Sequence, residues 1–221
     1  MVEEFEAMHN VKIKAKYYAG GDNMLALISQ SPPGTYDLIL SDGEFVKLLK
    51  EAGYIEAMDP NEYNMGDLFD EYAHFDAHWM GDSLYSVIVR FGYLGVSFNT
   101  EIISHEEASD YNILWDSKLK GKVGHFDWHL PNLGCLSLRD GNDSPSPFDI
   151  NSSQWSKLQE TTLSLKPQVG GYFDYGGTFA SLKNGEIYAM CGIGDWITGV
   201  VRKDGAPVDS VIPKQGGCLL Y

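Results

Sequence analysis

Short apolar runs that alternate with segments of helical period constrain this chain most. Tyr36–Ser41, Val123–Phe126, Ile187–Cys191 and Val208–Ile212 are too short for helices and apolar enough for strands covered on both faces. Between and beside them, Met24–Ile28, Phe45 with Leu48, Leu49 and Ala52, and Ser152–Leu165 space their apolar residues as helices do. Val11–Tyr17 alternates apolar and basic residues, the pattern of a half-exposed strand, and Glu3–Met8 reads as the tail of a helix. Leu84–Phe98 predicts one long strand-like stretch interrupted by Arg90. The alternation predicts an α/β fold with mixed, mostly parallel sheets, in which ligands sit at the carboxyl ends of the strands. On the first such strand that position belongs to Asp42 and Glu44.

With 221 residues, 43% of them hydrophobic, the chain can bury a core in one or two domains and is not disordered. Asp and Glu number 31 against 16 Lys and Arg, a net charge of -15 that repels nucleic acid and anionic membranes and favours cationic or neutral partners. No apolar run approaches the roughly 20 residues of a membrane span. The start, Met1-Val2-Glu3-Glu4-Phe5-Glu6, lacks the basic end and apolar stretch of a secretion signal, so an intracellular protein or one whose leader has been removed is expected. Cys135, Cys191 and Cys218 are widely spaced, without a CxxC, and write neither a zinc ribbon nor a disulfide framework.

Enzyme signatures are sparse. Ser137, Ser181 and Cys191 stand in no nucleophile elbow, and neither GxxxxGK[ST] nor GxGxxG occurs. His125-Phe126-Asp127-Trp128-His129 would place two imidazoles and a carboxylate on one side of a strand, and His74-x-x-x-His78 has helical metal spacing. The first lacks a matching further ligand and the second lacks the glutamate of HExxH, so no metal and no cofactor is expected.

Four segments carry a resemblance. Tyr36-Asp37-Leu38-Ile39-Leu40, Leu114-Trp115-Asp116-Ser117-Lys118-Leu119-Lys120-Gly121-Lys122-Val123, Asn184-Gly185-Glu186-Ile187 and Val211-Ile212-Pro213-Lys214-Gln215-Gly216-Gly217 together resemble the polyamine-type (spermidine/putrescine) solute-binding proteins of ABC importers, in order and in spacing. The resemblance implies a type II periplasmic-binding fold: two α/β lobes joined by crossover strands, with ligand in the cleft between them. It implies a first lobe over 1–97 that lacks a strand and its C-terminal helices, a second over 98–212, and a return crossover over 213–221. An incomplete first sheet would leave an exposed edge inviting self-association.

The resemblance also implies which residues meet ligand. Asp42 and Glu44 follow the family's YDL-type strand and offer an acidic wall, or form the solvated start of a helix. Arg90-Phe91 falls on the family's aromatic pair, so Phe91 is placed to stack on ligand while Arg90 repels an amine, pairs with Asp42 or binds a ligand carboxylate. Trp128 and Pro131 align with two carboxylates that many polyamine binders use, leaving Asp127 as the neighbouring acid. Tyr175, in Tyr172-Phe173-Asp174-Tyr175-Gly176-Gly177, belongs to a strand-to-helix turn whose nitrogens could meet an anion. Asp195 and Trp196 resemble the family's aromatic-and-acid turn in reversed order; the structural alternative is a helix N-cap and a core indole. The implied function is capture of a polyamine or related small amine outside the cytoplasm for delivery to a membrane permease, without catalysis. A zwitterionic or carboxylated ligand is the alternative if Arg90 lines the site, and a metal-binding enzyme or non-transport module is the second alternative.

Overall fold

The computed structural model describes residues 2–18, 20–142 and 147–220, which form two compact units, 1–88 and 89–221. The elements of the first are α1 (Val2–His9), α2 (Gly21–Ser29), α3 (Val46–Glu51), α4 (Asp70–Ala73) and a small antiparallel hairpin of β1 (Trp79–Met80) and β2 (Ser83–Leu84), joined by short 3-10 turns and irregular segments. Its packing is local. Gly21 admits the Phe45 ring, since a Cβ there would stand 2.1 Å from that ring.

The strands expected at 11–17 and 36–41 do not form. A strand needs a neighbour to take its N–H and C=O groups, and none lies alongside either segment among the described residues. Most of their apolar side chains stay in solvent, Leu38 at 88% and Leu40 at 63% exposure. The Tyr18 hydroxyl donates a hydrogen bond to the Leu40 carbonyl. Among the described residues no parallel sheet forms in this unit.

The second unit carries the sheet. In chain order it comprises β3 (Gly92–Asn99), α5 (His105–Ala108), β4 (Val123–Phe126), α6 (His129–Arg139), α7 (Ser152–Leu165), β5 (Val169–Phe173), α8 (Tyr175–Lys183), β6 (Ala189–Gly194), α9 (Asp195–Lys203), β7 (Val208–Val211) and β8 (Cys218–Leu220). The strand order is β5-β4-β6-β3-β7, with β8 also on β3. β4 runs parallel to β5 and β6, and β3 runs antiparallel to β6, β7 and β8. The long stretch expected over Leu84–Phe98 is split: β2 ends at Leu84, residues 85–91 pair with no strand, and the ladder resumes at Gly92.

Helix ends follow local chemistry. Asn151 and Gln154 exchange side-chain and backbone hydrogen bonds as a capping box at the start of α7, and Ser104 and Glu107 do the same for α5. Strand alternation splits the core in two. Ala189 and Cys191 of β6 join Leu94, Val96, Phe98, Leu136 and Leu158 in one cluster; Met190, between them, joins Phe126, Ile187, Ile197 and Val201 in the other. Among the described residues no helix is long and apolar enough to cross a membrane.

Candidate functional site

Three parallel strands of the second unit end side by side, and each is followed at once by a turn and a helix. β4 ends at Phe126 and gives Asp127-Trp128; β5 ends at Phe173 and gives Asp174-Tyr175; β6 ends at Gly194 and gives Asp195-Trp196. An acid followed by an aromatic thus recurs three times at the carboxyl end of the sheet.

The aromatic members converge. Tyr175 meets Phe126 edge-on at 4.9 Å between centroids and lies 6.3 Å from Trp196, whose indole is 5.9 Å from Phe179. Trp128, Tyr175 and Trp196, with Phe126, Leu94, Pro131, Ile193 and Ile197, line a small recess of ≈ 20 Å³. Glycines make the approach possible. A Cβ on Gly194 would stand 2.7 Å from the Trp196 ring, and one on Gly192 would stand 2.7 Å from Asn132 Oδ1 at a φ of +74°. Asn132 is fully buried and donates through Nδ2 to the carbonyls of Phe126 and Trp128, 2.7 Å each, which fixes the β4–α6 turn.

The acids sit around this apolar floor. Asp127 is exposed, its backbone N–H bonded to the Phe173 carbonyl at 2.8 Å. Asp174 caps α8, accepting from the Gly177 N–H at 2.7 Å. That contact takes up a nitrogen of the turn expected to greet an anion, so Asp174 makes the position acidic instead. Asp195 is not a helix N-cap: Gly194 holds that position, and the Asp195 carboxylate accepts from the Tyr93 N–H of β3 at 3.2 Å. Trp196 is not a core indole either, being 45% exposed. The Trp128 indole Nε1 is buried without a hydrogen-bond partner among the described residues.

Arg90 and Phe91 stand on the segment before β3, both exposed, and no acid of the second unit pairs with Arg90 among the described residues. Asp42 and Glu44 belong to the first unit, where Glu44 lies in the short 3-10 turn Gly43–Phe45. Burial, reinforced by the Asp42 charge, pushes the Glu44 carboxyl up to about 7. Glu44 is therefore not a freely solvated helix-start acid.

The metal arrangements do not assemble. β4 stops at Phe126 and α6 begins at His129, so the period-two geometry imagined for His125, Asp127 and His129 is broken, and His125 packs edge-on against Tyr172 at 5.3 Å. α4 ends at Ala73, before His74, and buried His78 bonds Ser86 through Nδ1. Among the described residues no group of three or more His, Cys, Asp or Glu is placed to hold a metal ion.

Sequence reasoning missed Phe126, Phe179, Asp174 and Tyr93. Asp174 had a readable signal, an acid directly before a helix-starting Tyr-Gly-Gly, whereas the Tyr93 contact joins residues 102 apart and has no local trace.

Residues 1–221 match the profile of a family described as bacterial extracellular solute-binding protein. The spermidine/putrescine-binding periplasmic protein 1 of Haemophilus influenzae is 24% identical over 230 residues, covering 99% of this chain and 59% of that protein. The Escherichia coli spermidine/putrescine-binding periplasmic protein is 21% identical and covered over 61% of its length. The chain thus spans about three fifths of these curated relatives. Among solved structures, a Listeria monocytogenes protein named putative spermidine/putrescine ABC transporter superposes with a TM-score of 0.85 at 18% identity over 100% of this chain and 66% of that one. A Treponema pallidum lipoprotein superposes at 0.81 and 20% identity, over 99% and 68%. The fold is that of type II periplasmic binding proteins.

Proposed function

Since the chain belongs to the bacterial extracellular solute-binding proteins, we propose that it is the solute-binding part of an ABC importer, working outside the cytoplasm, and that its ligand is a polyamine or related small amine. The observation that carries this reading is the threefold acid-and-aromatic repeat at the carboxyl end of the second unit's sheet. Aromatic faces attract ammonium groups and pack against methylene chains, while Asp127, Asp174 and Asp195 make the rim negative. The printed names of the relatives, which bind spermidine and putrescine, agree with it.

In this reading Trp128, Tyr175 and Trp196 form the aromatic wall and Asp127 pairs with an exposed ammonium. Asp195, already bonded to Tyr93, contributes potential and holds the base of Trp196 in place. Asp42, Glu44 and Phe91 are proposed as further ligand contacts. The protein binds and delivers its ligand to a permease and performs no chemistry on it. The carboxylated or zwitterionic alternative draws on one observation, that Arg90 is exposed with no acid of its own unit beside it.

Calorimetric titration with spermidine, putrescine and a panel of amino acids tests both readings. Saturable amine binding that Asp127→Asn weakens supports the first. Binding of carboxylates only, lost in Arg90→Ala, replaces it with the second, and indifference to both substitutions removes both site assignments.

A further inference from the structure

β6 stops while β3 still runs on. Leu94 of β3 is opposite Gly194, the last residue of β6, and the chain turns there into α9. Tyr93, one residue further out on β3, therefore has no β6 backbone across from it. The Asp195 side chain takes that place, its Oδ1 accepting from the Tyr93 N–H at 3.2 Å. Tyr93 is held at its other end as well, its hydroxyl 3.1 Å from Ser210 Oγ of β7. Gly92 leaves the space for this contact. A Cβ there would stand 2.7 Å from Asp195 Oδ1 and 3.9 Å from the same carboxyl carbon, and beyond its chain neighbours it would meet no other described residue within 4 Å. Gly92 is not among the glycines of positive φ, so its backbone accepts a side chain and the carboxylate is the one obstacle.

We propose that Gly92 and Tyr93 are positioning residues of the candidate site. Together they lock the Asp195 carboxylate against β3, and through it the first turn of α9, on which Trp196 stands. A side chain at position 92 collides with the tip of a flexible side chain, so the fold accommodates it, but the carboxylate has to rotate off the Tyr93 N–H. Trp196 is the next residue, and its ring fills the space left by Gly194, where a Cβ would stand 2.7 Å from it. A first turn released at Asp195 no longer fixes the indole beside Tyr175 and Phe179. Gly92 thus serves the carboxylate as Gly194 serves the indole. The consequence for affinity rests on the amine-binding reading; the placement of the side chains does not.

The test combines ligand-free NMR with calorimetry on Gly92→Ala, Asp195→Ala and the double variant. Gly92→Ala should speed hydrogen exchange at the Tyr93 amide and shift the Trp196 indole N–H signal, as Asp195→Ala does, with a Tm within about 3 °C of the parent. In the Asp195→Ala background it should do neither, because the carboxylate is already gone. Amine affinity should fall about tenfold in Gly92→Ala, the scale of one charge-assisted hydrogen bond, and less than about twofold when the same substitution is added to Asp195→Ala. Unchanged Tyr93 exchange and Trp196 signal overturn the assignment. So does a Tm loss on the order of 10 °C, which would mean that more than the carboxylate has to move, or an affinity loss that persists undiminished in the double variant. Where the parent chain binds no amine, the ligand reading fails and the two NMR observations decide the positioning role by themselves.

Discussion

Trp196 keeps almost half its surface in solvent while packing against Tyr175 and Phe179, an arrangement that suits a ligand better than a core. Trp196→Ala should weaken amine binding by about tenfold, the scale of a partly desolvated cation–π contact, measured by titration calorimetry with unchanged circular dichroism. Gly194→Ala should do the same without removing the indole, because the new Cβ would occupy the place of its ring. Glu44 allows a pH prediction. Its folded-state pKa is raised from 4.5 to about 7, so the stability it contributes is fully present below 4.5 and lost as pH rises through about 7. Denaturant unfolding of Glu44→Gln should therefore be flatter across this window than the parent, and more stable than it at pH 8 by at most about 3 kcal/mol. An equal pH slope in both proteins would remove this account of Glu44.

Among the elements, the β4–α6 turn rests on one side chain. Asn132 satisfies two buried carbonyls and meets Gly192 at close range, so Asn132→Ala leaves two acceptors without donors. The expected loss is about 2 kcal/mol or more of stability, read in urea, together with weaker amine binding as Trp128 loses its anchor. α7 makes a milder comparison: Asn151→Ala removes the capping box and should cost about 1 kcal/mol, with no effect on ligand. α7 itself could be read directly from its sequence, start and end included, because its apolar spacing and its cap are local. β4 could be read the same way. The strands expected at 11–17 and 36–41 were not so determined, since their alternation says which residues would face a core but supplies no neighbour to pair with.

For the whole molecule, a charge of -15 adds long-range attraction for a polycation. Spermidine affinity should fall steadily with added salt, and more steeply than putrescine affinity because spermidine carries more charge; salt-independent binding would count against an electrostatic role for the rim. The candidate site was legible in part. Asp127, Trp128, Tyr175, Asp195 and Trp196 all lie in strand-to-helix turns that short apolar runs announce, because a buried strand and the turn that ends it are written within a few residues. Their convergence was not legible, nor were Phe126 and Phe179 in the wall or the Tyr93–Asp195 bond. These depend on strand order and register, which bring β4, β5 and β6 together although β6 follows β4 by more than sixty residues. By itself the sequence determined the local elements of the second unit, its acidic character and its family motifs, since propensity, capping and charge act over a few residues. Only the tertiary structure decided which acids stay exposed, which aromatics share a recess and which expected strands find no partner, because burial and hydrogen-bond pairing are settled between segments distant in the chain.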